Sequence, residues 1–261
     1  MKPILFTIGN FAVPSFWVMA FLGFLGGFLV VRQEAQRRGF GTELAYDVLL
    51  YAYVGGWVGA RLFLIPTAWE LFRNDPIAFL LSGSGWVWYG GVAGGTLGVW
   101  LLARRQQIPF IELADICAPA LALGLAIGRI GCQLSGDGDY GVPTSLPWGM
   151  SYPNGVVPTA ERVHPAPLYE MIGSLAIFAY LWRIRHHARP GEVVGRYLLL
   201  ATSLRFAIEF VRRNPAWLWG LTTAQVWSIG LACVGLYLLR RARQTHYPTA
   251  QPAASNQAPA V

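Results

Sequence analysis

The sequence predicts an all-α, polytopic membrane protein: seven transmembrane helices, the N-terminus outside, the C-terminus inside, and a large outer loop between helices four and five. Three observations predict it. First, 54% of the 261 residues are hydrophobic and only 13% are charged, too apolar for a soluble domain of this length. Second, runs of about 17–25 mainly apolar residues, the length needed to cross hydrocarbon, recur at 15–31, 44–64, 86–103, 113–130, 167–182, 197–211 and 224–239. Third, arginines follow every second run.

The runs can be taken in order. Run one has no small-residue cleavage site and is followed by Arg32, Arg37 and Arg38, so it is expected to stay as the first helix rather than leave as a signal peptide. Arg104 and Arg105 follow run three, Arg183, Arg185, Arg189 and Arg196 lie between five and six, and Arg240, Arg241 and Arg243 follow seven. The positive-inside bias makes these segments cytoplasmic. Many of the 11 tryptophans lie near run ends, as expected of an interfacial belt. The outer face keeps 66–78, 213–223 and the longest connection, 132–166, which is rich in Gly and Pro and shows no helical or strand period. A connection of that length is more often functional than a plain linker. Residues 1–243 thus read as one membrane domain and 244–261 as a disordered cytoplasmic tail.

Composition also excludes partners. The net charge of +7 is scattered between apolar runs instead of gathered on one face, which excludes a nucleic-acid partner. Cys117, Cys132 and Cys233 have no CxxC spacing, which argues against a disulfide framework or a zinc site. No metal or cofactor is expected, and the chain is expected to be a monomer.

Ionisable residues are costly in lipid and normally face a bundle interior or each other. With the orientation above, Arg61 falls in the outer part of run two and Arg129 at the outer end of run four. Arg205, Glu209 and Arg212 lie towards the same side in and after run six, while Tyr89, His164, Tyr169 and Glu170 fall near the outer starts of runs three and five. Several arginines against few local carboxylates imply an excess of positive charge at one depth. Arginine's planar fork suits a phosphate, and a phospholipid headgroup is the abundant anion there. Gly90 and Gly91, beside Tyr89, would let a ligand approach the backbone, whereas Gly55 and Gly59 read as close helix packing. In the loop Gly136-Asp137-Gly138-Asp139-Tyr140-Gly141, two carboxylates without evident further ligands do not make a cation site. A tight turn in which Asp137 or Asp139 pairs with an arginine is expected instead.

Four motifs carry a family resemblance: Tyr89-Gly90-Gly91-Val92-Ala93-Gly94, Gly128-Arg129-Ile130-Gly131, His164-Pro165-Ala166-Pro167-Leu168-Tyr169-Glu170 and Arg205-Phe206-Ala207-Ile208-Glu209-Phe210-Val211-Arg212. In this order the chain resembles the bacterial prolipoprotein diacylglyceryl transferases, from about Ile8 to Ser228. The resemblance implies an inner-membrane enzyme, with its site facing outward, that moves the diacylglyceryl group of phosphatidylglycerol to a prelipoprotein lipobox cysteine. A thioether forms and glycerol phosphate is released. It implies that Arg129 and Arg205 clamp the phosphate, that Glu209 and Arg212 hold or extend the clamp, and that His164, Tyr169 and Glu170 shape the outer mouth. The chain departs from the family's pattern in four places. Cys132-Gln133 stands for Asn-Phe, Ser135-Gly136-Asp137 for Asn-Gly-Glu, Tyr89 for the histidine of His-Gly-Gly, and Ala201 for a tyrosine four positions before Arg205. The missing imidazole leaves His164, Asp137 and Asp139 as substitutes for the proton acceptor, since Tyr89, whose unperturbed pKa is about 10, is a poor base whose hydroxyl could instead hydrogen-bond a lipid oxygen. The same lipid site could also serve another acceptor, or a phospholipid-binding or transport protein without chemistry.

Overall fold

A computed structural model describes residues 1–66, 68–81 and 87–244; Trp86, where the third predicted run begins, and the predicted tail after Gln244 lie outside the described residues. The elements are β1 (Ile4–Ile8), β2 (Phe11–Pro14), α1 (Ser15–Arg37), α2 (Glu43–Leu62), α3 (Trp69–Asn74), α4 (Pro76–Leu81), α5 (Trp88–Gln106), α6 (Phe110–Ser135), β3 (Met150–Tyr152), β4 (Thr159–Val163), α7 (Ala166–Ile184), α8 (Glu192–Glu209), β5 (Ala216–Leu218), β6 (Leu221–Thr222) and α9 (Thr223–Gln244).

Among the described residues, each predicted apolar run coincides with a helix of 18 residues or more. Three of them, α1, α6 and α9, are long and apolar enough to cross a membrane on length and composition alone. Several helices overrun their apolar core: α1 continues six residues past Val31 through Arg32 and Arg37, because long basic side chains let a helix extend into the headgroup layer. Bulky apolar side chains line the outside, among them Trp17, Phe21 and Tyr237, each 60% exposed or more. A soluble monomer rarely presents so large an apolar surface; this is a membrane protein.

The all-α expectation needs correction, because three antiparallel hairpins interrupt the helices: β1–β2, β3–β4 and β5–β6. Two are closed by two-residue loops, Gly9-Asn10 and Trp219-Gly220. In the second, both residues have positive φ, 50° and 78°, the backbone that matches the twist of paired strands. Strands of two to five residues are too short to show a period in the sequence. The segment after α2, expected on the outer face, likewise holds two short helices, α3 and α4.

Small residues bring the long helices together. A Cβ on Gly94 would sit 2.8 Å from Gly59 Cα and overlap the carbonyl of Gly55, and one on Gly90 would overlap Gly59 O and lie 2.6 Å from Phe63 Cβ. Helices α2 and α5 therefore pack backbone to backbone. A looser version joins α1 to α6, where a Cβ on Gly23 would lie 3.1 Å from Gly124 O, and α8 to α9 through Gly195 and Gly235. In lipid such van der Waals contact replaces the hydrophobic effect as the force between helices.

Helix α6 also packs against α7 and α8. At the arginine-rich end, its buried Asp115 accepts N–H bonds from Gly191 (2.7 Å) and Val194 (2.8 Å). A carboxylate there satisfies donors that the first turn of α8 leaves unpaired and complements its dipole. Glu34, wholly buried on α1, collects Arg37, Arg38 and Arg185 at the same end.

Replacing Gly94 with Val should lower the thermal midpoint in detergent and the folded yield sharply, since overpacking commonly costs about 1–3 kcal/mol and more where backbone blocks relief. Gly230, whose added Cβ would meet nothing within 4 Å, should accept Ala without loss. Equal midpoints for the two variants would rule out backbone-to-backbone packing.

Candidate active site

The opposite end of the bundle gathers the charged groups. Arg129 sits in the penultimate turn of α6, Glu170 in the second turn of α7, Arg205 and Glu209 in the last turns of α8, and Arg212 just beyond. Arg129 pairs with both Asp139 and Glu170. Arg205 reaches Glu170 Oε1 and Glu209 Oε2, each at 2.9 Å. Arg212 reaches Asp139 Oδ1 at 2.7 Å, Glu170 Oε1 at 3.6 Å and Glu209 Oε2 at 3.9 Å. Three guanidinium groups thus interlock with three carboxylates.

This corrects the expected excess of positive charge, for the paired cluster is balanced in its formal charges. Two carboxylates account for the difference: Glu170, which was expected elsewhere, and Asp139, whose pairing with an arginine was expected. Glu170, expected at the outer mouth, is only 3% exposed, because the Pro165-Ala166-Pro167 start of α7 turns its first face into the bundle. Asp139 arrives from the loop. Burial pushes the Asp139 carboxyl up, but Arg129 and Arg212 together outweigh that and hold it below the usual carboxylate range.

The loop owes its path to glycines at special positions. Gly136 ends α6 in the left-handed region (φ 59°) with its Cα face against Gly155, as helix C-termini favour. Gly141 lies so close to α8's end that a Cβ would meet His164 Cβ at 2.9 Å and overlap Val211 O. Its N–H donates to His164 O (2.8 Å), and Val142 N–H donates to Val211 O (2.8 Å). The loop is thereby stitched between α8 and β4, with Asp139 at the arginines. Tyr140 turns the other way, stacks on Tyr152 at 4.9 Å and forms with Val163 a small core of its own.

The remaining candidates occupy the margins. Tyr89 stacks on Trp227 (5.6 Å) within electrostatic reach of Arg205 and Glu209. Arg61 is wholly buried in the last turn of α2, beside the start of α5, where Val87 N–H donates to Ala60 O. Asp137 accepts the backbone N–H of Asp139 (3.3 Å) and so tightens the turn; its carboxylate, that of Asp139 and the Cys132 thiol lie within 4.8 Å of one another. His164 stands outside the ion pairs, its Nδ1 at 3.2 Å from the Tyr169 hydroxyl, which accepts a bond from Trp148 Nε1 at 2.8 Å. Gly90 is taken up by packing against Gly59, and Gly91 faces Gly56 and Ala60. Gly90 is thus occupied by helix packing, whereas Gly91 is in ordinary contact with α2.

Three contributors were missed. Asn214 donates to Glu209 Oε1 at 2.7 Å, Arg213 donates to Gly141 O at 3.0 Å, and the buried Tyr152 hydroxyl donates to Gln133 Oε1 at 2.9 Å. None follows a helical or strand spacing, because each bond joins residues of different elements or connections.

Comparison with known proteins places this geometry in a lineage. A family profile described as prolipoprotein diacylglyceryl transferase matches residues 3–241. The phosphatidylglycerol–prolipoprotein diacylglyceryl transferase of Chromohalobacter salexigens is 33% identical over 248 residues, covering 91% of each chain. Its counterpart in Gloeobacter violaceus is 33% identical over 252 residues, 92% of this chain and 93% of that one. The Clostridium tetani protein of the same name is 28% identical over 241 residues, 91% and 96% respectively. The chain belongs to the prolipoprotein diacylglyceryl transferase family.

Proposed function

We propose that this protein transfers the diacylglyceryl group of phosphatidylglycerol to the cysteine thiol of a prelipoprotein, at a site facing the outer side of a bacterial inner membrane. The observation that carries the reading is the interlocked set of Arg129, Arg205 and Arg212 with Glu170, Asp139 and Glu209, in a chain whose relatives bear that activity in their names. All seven long helices cross the bilayer. The N-terminus lies outside, where Lys2 N–H meets Leu134 O at the site end. The C-terminus lies inside, where Arg243 O accepts from Arg189. The 132–166 loop covers the outer end, and the protein works as a monomer.

In the reaction the acceptor sulfur attacks the glyceryl carbon that carries the phosphate ester. A C–S bond forms, the C–O bond breaks, and the electron pair leaves with glycerol phosphate. Arg129 and Arg205, with Arg212, bind the phosphodiester and neutralise the charge that grows on the leaving oxygen, the kind of preorganised stabilisation that contributes most to catalysis. Glu170 and Glu209 hold those guanidinium groups in place. His164 takes the thiol proton: with Nδ1–H donated to the Tyr169 oxygen, Nε2 is left as the acceptor. Tyr89 hydrogen-bonds a lipid oxygen beside Arg205, and Arg61 supports the same outer end.

One assay tests residues and sidedness together. Right-side-out vesicles containing acyl-labelled phosphatidylglycerol, given a membrane-impermeant lipobox peptide, should lipidate it without permeabilisation. Arg129→Gln and Arg205→Gln should each lose transfer by about 100-fold or more. Wild-type rates in both variants would refute the clamp, and transfer only after permeabilisation would refute the orientation. His164→Gln should lower kcat by about 100-fold with little change in lipid KM; an unchanged pH profile in that variant would remove His164 from proton transfer.

A further inference from the structure

The three carboxylates of the cluster are not equivalent. Glu170 and Glu209 sit on helices and are each 3% exposed, so neither can leave without moving α7 or α8. The Asp139 side chain is 34% exposed and enters on a loop. Two glycines with positive φ precede it, Gly136 at 59° and Gly138 at 95°, and the backbone is stitched down again only from Gly141 onward. Between them, Asp139 is held by its turn bond to Asp137 and by its two ion pairs. Those pairs place a carboxylate between Arg129 and Arg212, where an anion would bind.

We propose that Asp139 is an internal counter-ion that occupies the anion position of the clamp and must be displaced by the donor, so that this residue sets the affinity and the charge specificity for the phospholipid. The inference rests on the transferase reading above and deepens it. Charge matching supports it. With Asp139 withdrawn, Arg129, Arg205 and Arg212 face Glu170 and Glu209, leaving one positive charge, which a phosphodiester with its single negative charge restores to neutrality. A phosphomonoester carries about −1.5 to −2 at neutral pH and overshoots that balance. The product, glycerol phosphate, is such a monoester, and the displaced Asp139 carboxylate, still tethered beside the clamp, repels its extra charge and favours its release. A zwitterionic headgroup would bring an ammonium beside three guanidinium groups and be repelled. Displacement also lowers the apparent affinity of the resting site, since only the fraction with Asp139 withdrawn can bind.

The test is calorimetric titration of the purified full chain in uncharged detergent with short-chain phosphatidylglycerol and, separately, with glycerol phosphate, for wild type, Asp139→Asn, Asp139→Ser and Asp139→Glu. The neutral variants should bind phosphatidylglycerol about 10-fold more tightly and discriminate less against glycerol phosphate, while Asp139→Glu should resemble wild type. Equal or weaker binding by both neutral variants overturns the proposal, as does absence of binding in every form. Failure of both neutral variants to fold overturns it too, because a displaceable group cannot be required for the fold. Transfer to a lipobox peptide, run on the same preparations, reports on the underlying function separately. Tighter lipid binding without peptide lipidation would remove the acceptor assignment and leave the counter-ion role standing.

Discussion

Glu170 is the point at which three helices agree. Its carboxylate is nearly inaccessible, accepts a hydrogen bond from Arg205 on α8 and forms ion pairs with Arg129 on α6 and Arg212 just past α8, while its own backbone belongs to α7. A buried charge is tolerated only where it is paired. Removing one partner of such a pair commonly costs about 3–5 kcal/mol because the other is left uncompensated. These ends of the helices are therefore fixed relative to one another by electrostatics, and the guanidinium groups are set in place before any ligand arrives. Asp139 and Glu209 complete the neutrality that allows so many charges at the edge of hydrocarbon.

The rest of the fold supplies rigidity around that point. Backbone contact between α2 and α5 through Gly59, Gly90 and Gly94 leaves no slack on one flank, and Tyr89, one residue before Gly90, is thereby held toward Arg205 and Glu209. At the other end, Asp115 caps α8 and Glu34 gathers three arginines. Helix α8 is thus tied at its start by a cap from α6 and at its finish by ion pairs to α7 and the connection between α6 and α7. The two polar layers bracket an apolar middle, the distribution a bilayer demands.

Helix positions were legible because hydropathy over about 15 or more residues averages out local exceptions, and the polar level was legible because an arginine in an apolar run stands out. Arg129, Arg205, Glu209 and Arg212 were found that way, and the expected pairing of a loop aspartate corresponds to the contacts of Asp139. The charge balance was not legible. It depends on Glu170 turning inward and on a loop bending back over α8, both decided by tertiary contacts at Gly141 and Pro167 that no period encodes. The packing role of Gly90 was hidden for a related reason: a glycine beside a polar residue looks the same in sequence whether a ligand or another helix lies against it. The hairpins were hidden by their length, and Asn214 by lying beyond the end of α8, where helical spacing no longer applies.

Glu170→Gln, an isosteric change that removes only the charge, tests most directly whether one shared carboxylate organises the site. Transfer from phosphatidylglycerol and thermal stability should be measured together in the same reconstituted membranes. The account predicts a fall in transfer of about 100-fold or more with a lowered midpoint, and partial recovery in Glu170→Asp. Wild-type transfer by Glu170→Gln at an unchanged midpoint would contradict it.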